Sequence, residues 1–370
     1  MNWHPQHSEE KIPERCPYCG AGRLVRRGTR KNKLQILQLW KCAVCRRVFS
    51  GELGRGTQYP LRVIVAALSW YYQGYTIDDV LSRITRRFGY VPGESAVWKW
   101  LEKYRDLCTY RRLRPTGRRT FLPTQLIRKV KLFHRQVYEF SIHRGKLAAL
   151  LDSQSEHRRF RRIGEYLEDM LVNCPHDLFV DDSTARASSA KGTARFDLSE
   201  VQIVAKKNCA TDTARLVLAS VNNNRLRHES LQQFMLCCDS VTVATEVPIV
   251  LERTDFEALS KIGFSIPPDL ARPTTGHIDF LQIRNGAIHI LDYKPDARTN
   301  RPVEQLTLYA LALSQATGIR LFDFKCAWFN EEIYCEFFPL RVVHKLKTGA
   351  RKRENQAIEH PKVSITDLRP

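Results

Sequence analysis

Residues 276–309 read GHIDFLQIRNGAIHILDYKPDARTNRPVEQLTLY, and the dipeptide Asn285-Gly286 inside them limits what this chain can fold into more than any other feature. It separates two apolar runs, His277 to Arg284 and Ala287 to Lys294. Asn-Gly between such runs predicts a β-hairpin, because a type I′ turn needs φ > 0 at both central residues. A two-residue loop sets Arg284 against Ala287, and counting outward sets Asp279 directly against Asp292. Opposed Cβ atoms lie about 5 Å apart, where like charges destabilise unless something positive sits between them. A divalent cation would remove that penalty. Strand periodicity puts Lys294 on the same face as Asp292. A surface hairpin with scattered charges needs no such register, so the trio points to chemistry.

Gly276-x-x-Asp279, Asp292-x-Lys294 and Gln305-x-x-x-Tyr309, in this order, resemble the PD-(D/E)XK nuclease superfamily, and within it the RecB-like branch that includes CRISPR adaptation nucleases. The resemblance implies a restriction-endonuclease-like α/β core with a mixed sheet over residues 196–345. It implies that Asp279, Asp292 and the Tyr293 carbonyl hold Mg²⁺ or Mn²⁺, and that Lys294 orients the attacking water or stabilises the transition state. Gln305 and Tyr309, one turn apart on a helix bracketed by Pro302 and Gly318, would orient the site and meet DNA. A helix ahead of the hairpin supplies a metal-binding His in this branch. His228 stands at that place, with Glu229 the alternative in carboxylate-first relatives. The strand VTVATEVPIVL belongs in the central sheet, and the sequence leaves open whether its Glu246 faces the site. VQIVAKK and ARLVLASV read as strands before it, FDFKCAWF and IYCEFFPL as closing strands after the hairpin. Several members of the branch carry an iron-sulfur cluster on one upstream cysteine and a close C-terminal trio. Cys326 and Cys335 have no third cysteine nearby, so no cluster is expected.

Near the N-terminus Cys16, Cys19, Cys42 and Cys45 give C-x2-C-x22-C-x2-C. Two thiolates from each knuckle complete a tetrahedral shell, which predicts a structural Zn²⁺ ribbon over residues 1–55. A domain this small buries little apolar surface, so the metal supplies its folding free energy. Residues 60–107, inside a helix-turn-helix domain expected over 56–112, then read as three helices. Thr76 caps the second, and the third runs from Ser95 to Leu107 with Val97, Leu101 and Tyr104 inward. Ser95, Trp98, Lys99 and Lys103 remain outward, as on the groove-reading helix of a helix-turn-helix. Spacing alone fits a helical bundle with no DNA role equally well. The ribbon plus trio resembles the DNA-binding front end of insertion-sequence transposases, although no DDE-type constellation follows it.

Residues 113–195 are basic and read as a helical connector, with Asp181 to Gly192 a flexible linker; residues 346–370 are a basic tail. Runs such as Arg158 to Arg162 fit either a solvated face or a track for the DNA backbone. A net charge of +20 favours a polyanionic partner, DNA above all. No apolar run approaches 18 residues and the N-terminus is too polar for a signal peptide, so a cytoplasmic, nucleoid-associated protein without a membrane partner is expected. The fold class is multidomain α+β. The expected function is a Mg-dependent DNA endonuclease, targeted by its N-terminal region and associated with a mobile element and its proteins. A homodimer would follow if both strands are cut. The rivals are a DNA-binding regulator with an inert nuclease fold, and a repair or defence exonuclease.

Overall fold

The structure is a computed structural model that describes residues 13, 16, 18–31, 36–50, 59–152, 160–189, 196–199, 201–221, 226–267, 270 and 272–344. The tail expected at 346–370 lies outside the described residues.

Three short strands come first: β1 (Leu24–Lys31), β2 (Ile36–Cys42) and β3 (Val48–Ser50), paired antiparallel in that order. Their buried cluster is Cys16, Trp40, Cys42 and Phe49, half of it thiol. Helices α1 (Leu61–Tyr72), α2 (Ile77–Phe88) and α3 (Glu94–Lys103) follow. Thr76 caps α2 reciprocally: its hydroxyl accepts the Asp79 N–H, and the Asp79 carboxylate accepts the Thr76 N–H. The expected Ser95 to Leu107 helix ends at Lys103. Val97 and Leu101 face inward as expected, but Trp100 rather than Tyr104 completes the buried side.

Residues 113–195 depart from the helical connector that the sequence suggests. Arg114–Thr120 is helix α4, but Ile127–His134 (β4) and Gln136–His143 (β5) are strands that turn at Arg135, held at φ 59°. Dense Lys and Arg favour a helical reading, whereas burial alternates: Leu132 and His134 are buried, Lys131 and Phe133 exposed. Helices α5 (Arg144–Asp152), α6 (Arg161–Met170) and α7 (His176–Val180) come next. Within the expected linker, Ala185–Arg186 forms strand β6. Of VQIVAKK only Val204–Ala205 (β7) is strand. ARLVLASV is not a strand but lies largely in helix α8 (Cys209–Ala219). Asn208 caps that helix by accepting the Ala210 N–H at 2.9 Å, and Ala210, Ala214, Val217 and Leu218 form its buried stripe. The chain continues through α9 (Arg227–Cys238), β8 (Thr242–Leu251), α10 (Arg253–Lys261), β9 (Thr274–Arg284), β10 (Ala287–Tyr293), α11 (Val303–Thr317), β11 (Phe324–Phe329), β12 (Tyr334–Phe337) and α12 (Leu340–Val343).

One mixed sheet runs β4-β5-β8-β9-β10-β11-β12-β7, with β6 added to β9. The β10–β11 pair is parallel, and α11 is the crossover that parallel neighbours require. Residues of α6 and α11 lie in one buried cluster with the sheet. Residues of α1, α8 and α9 lie in a second, together with Phe280, Leu291 and Tyr293. The helical trio therefore shares a core with the sheet, α1 packing directly on α9. Two arginines of the basic runs act as helix caps. Arg114 donates to the carbonyls of Tyr71, in the last turn of α1, and Tyr75, just past it, at 2.8 and 2.9 Å, and Arg162 to that of Thr317, the last residue of α11, at 3.2 Å. Among the described residues no helix is long and apolar enough to cross a membrane.

Candidate active site

The turn has the geometry its residues predict, with Asn285 at φ 50° and Gly286 at φ 66°. Strands β9 and β10 pair from Arg284–Ala287 to Phe280–Leu291 in the expected register. The ladder stops one pair short of Asp279 and Asp292. There the Asp279 carboxylate accepts the Tyr293 N–H at 3.0 Å. Lys294 Nζ lies 2.8 Å from Asp292 Oδ2.

A third carboxylate completes the row. In β8, Thr245 pairs with Phe280 and Val247 with Ile278, so Glu246 lies across from Asp279. Glu246 holds φ 50°, a left-handed conformation that costs a non-glycine residue about 1–3 kcal/mol and tends to mark functional sites. Gln232 of α9 fixes its carboxylate at 2.7 Å. One turn earlier on α9, His228 Nε2 lies 3.1 Å from Asp279 and 4.0 Å from Glu246, whereas Glu229 is exposed. Sequence reasoning left Glu246 undecided and missed Gln232. The available clue was a lone acid within an apolar strand, opposite Asp279.

Three carboxylates packed this closely shift one another. Burial and the Asp279 charge push Glu246 up to about 7. Burial and Asp279 likewise hold Asp292 well above the usual carboxylate range. Burial acts the same way on Asp279, but His228 and Lys294 outweigh it and keep Asp279 ionised. Burial disfavours the His228 cation, yet Asp279, Glu246 and Asp292 raise it to about 9. His228, Glu246 and Asp279 offer donor atoms within 4.8 Å of one another, so these three could hold a metal ion. Asp292 is not in that mutual group. Its Oδ2 faces Lys294 Nζ at 2.8 Å, as His228 Nε2 faces Asp279 at 3.1 Å, and both of these buried atoms make charged contacts without well-formed hydrogen-bond geometry.

Gln305 and Tyr309 meet on α11, where Gln305 Nε2 donates to the Tyr309 hydroxyl at 2.9 Å. Tyr309 is 3% exposed, so it can orient the site but not touch DNA. Its ring lies on Gly276, where a Cβ would come within 2.5 Å of the ring carbon Cε1. Gly276→Ala is therefore expected to displace Tyr309 and cost about 1–3 kcal/mol of stability. Denaturant unfolding checks this, and an unchanged midpoint would mean that the ring moves aside freely.

In the ribbon, Cys16 Sγ lies 3.6 Å from Cys45 Sγ, and Cys19 Sγ 3.6 Å from Cys42 Sγ. All four sulfurs are within 4.8 Å of one another. Tetrahedral zinc requires separations of about 3.8 Å, so the cluster can bind a structural zinc ion. On α3, Ser95, Trp98, Lys99 and Lys103 all face solvent, and the Trp98 indole N–H donates to Glu94 at 3.0 Å.

A scan against protein-family models, a search of curated proteins and a search of solved structures each return no match.

Proposed function

We propose that the chain is a metal-dependent phosphodiesterase acting on nucleic acid. More particularly, it is a DNA endonuclease of PD-(D/E)XK type, steered by its zinc ribbon and by the α3 face bearing Ser95, Trp98, Lys99 and Lys103. The observation that carries the reading is the row Glu246–Asp279–Asp292 across three adjacent strands, with His228 and Lys294 within 3.1 and 2.8 Å of it. The element order α9, β8, α10, β9, β10, α11, β11 adds support, as does the net charge of +20.

Mg²⁺ or Mn²⁺ bound by Asp279, Asp292, Glu246, His228 and the Tyr293 carbonyl would lower the pKa of water and clamp phosphate oxygens. Lys294, anchored by Asp292, would orient the attacking water and donate to the oxygen that gains charge at phosphorus. Gln305 and Tyr309 hold the floor beneath Gly276. The transposase-like front end suggests a mobile element with its partner proteins, and cutting both strands calls for two copies of the site.

Supercoiled and linear DNA incubated with Mg²⁺ test this. Nicking or linearisation of the circle is expected, and Lys294→Ala is expected to lose it. Folded protein that cuts neither substrate with Mg²⁺ or Mn²⁺ would falsify the proposal, and cleavage of linear DNA alone would favour an exonuclease. The pH dependence has a definite sign. Glu246 at about 7 and His228 at about 9 must lose protons to bind metal, and both values lie above the ordinary ones. Affinity for Mn²⁺ should therefore be weakest at pH 6 and climb towards pH 9, about tenfold per unit for each proton displaced. Calorimetry at four pH values reads this, and a flat profile counts against His228 and Glu246 as ligands.

A further inference from the structure

A second cluster of metal-binding side chains lies away from the three carboxylates. His134 ends β4, and Cys174 and His176 flank Pro175 at the start of α7. His134 Nε2 lies 2.9 Å from His176 Nδ1 and 4.0 Å from Cys174 Sγ, and the donor atoms of all three residues fall within 4.8 Å of one another. Tetrahedral zinc would set two nitrogens about 3.3 Å apart and a nitrogen and a sulfur about 3.6 Å apart. Each observed separation differs from these by about 0.4 Å, which side-chain rotation covers.

The surroundings hold these donors in place. His134 Nδ1 contacts His277 Nε2 at 2.8 Å, so the second ring nitrogen has the outer partner that fixes a ligating imidazole. The His134 ring stacks on Phe179 with centroids 3.9 Å apart, and the His277 ring on Tyr138 at 3.8 Å. His134 and Cys174 are buried while His176 is exposed, which leaves a fourth position open towards solvent.

We infer that His134, Cys174 and His176 form a second metal site, of His2Cys type, for a zinc-class transition metal with its fourth position open to water. One thiolate and two imidazoles suit such an ion and not the oxygen-seeking Mg²⁺. The ion would tie the start of α7 to the end strand of the sheet. Through His277 it would also brace β9, which carries Asp279 two residues further on. The inference stands whether or not the carboxylate row cuts DNA.

The competing account is a hydrogen-bonded chain of three histidines beside an unused thiol. Metal analysis of the full-length chain separates the two. It is done on Asp279→Asn protein so that the carboxylate row does not contribute to the count. Two zinc ions per chain are expected after dialysis against a weak chelator, one in the ribbon and one here. The count falls to one in His176→Ala combined with Cys174→Ser. One zinc before that change, or two after it, overturns the site. The single variant His176→Gln changes an exposed residue and so guards against misfolding. With Co²⁺ it should weaken the visible absorption of this site and leave that of the four-cysteine site intact; an unchanged spectrum also overturns the proposal.

Discussion

Asp279→Asn is expected to lower the proposed DNA cleavage by about 10³-fold or more while the protein stays folded. Asp279 is the middle carboxylate of the row, facing Glu246 on one side and Asp292 on the other. Its neighbours want protons, whereas His228 and Lys294 keep Asp279 ionised against its burial. It is therefore the carboxylate of the row that its neighbours hold in the charged form. Asparagine keeps the shape and an oxygen able to accept the Tyr293 N–H, so the end of the ladder survives. What disappears is the charge. Uptake of Mn²⁺ in calorimetry should vanish with the cleavage, while circular dichroism and the melting temperature stay near those of the parent. A variant that binds Mn²⁺ and cuts at the parent rate removes Asp279 from the chemistry.

Cys42→Ser, or a strong chelator, is expected to unfold the four-cysteine ribbon and to spare the rest of the chain. The buried cluster of the ribbon has four members, and Cys16 and Cys42 are two of them. Trp40 and Phe49 alone cannot offset the entropy of ordering three strands. A structural zinc contributes about 10–16 kcal/mol in small domains of this kind, far more than two aromatic rings supply. Without it, protease should cut first within β1 to β3, and the near-ultraviolet signal of Trp40 should collapse. The helical trio rests on α8, α9 and the sheet instead, so it should stay protected. Equal protease resistance of the ribbon with and without metal contradicts this account.

The hairpin was legible because its information is local. Asn285-Gly286 fixes the turn, the turn fixes the register, and the register brings Asp279, Asp292 and Lys294 together. His228 was reachable only through a family resemblance, since nothing near it in the chain distinguishes it from any helical histidine. Glu246 was harder still. Its strand carries a register shift between Thr242 and Ala244, and its own backbone is left-handed, neither of which side-chain alternation reveals. The β4–β5 hairpin escaped because Arg135 occupies the turn without glycine, asparagine or aspartate to announce it. His134, Cys174 and His176 belong together only once that hairpin is folded.

The packing of α1 on α9 has a mechanical meaning. The first turn of α9 presents His228 to Asp279, and α1 is the neighbour of the helix bearing Trp98 and Lys99. A reading head and a cutting head joined by a slack cord leave scattered breaks; welded to one another, they become a ruler. Under the proposed function, the distance from the recognised base pairs to the severed bond would be built into the interior of this chain, and it would change when that interior is repacked.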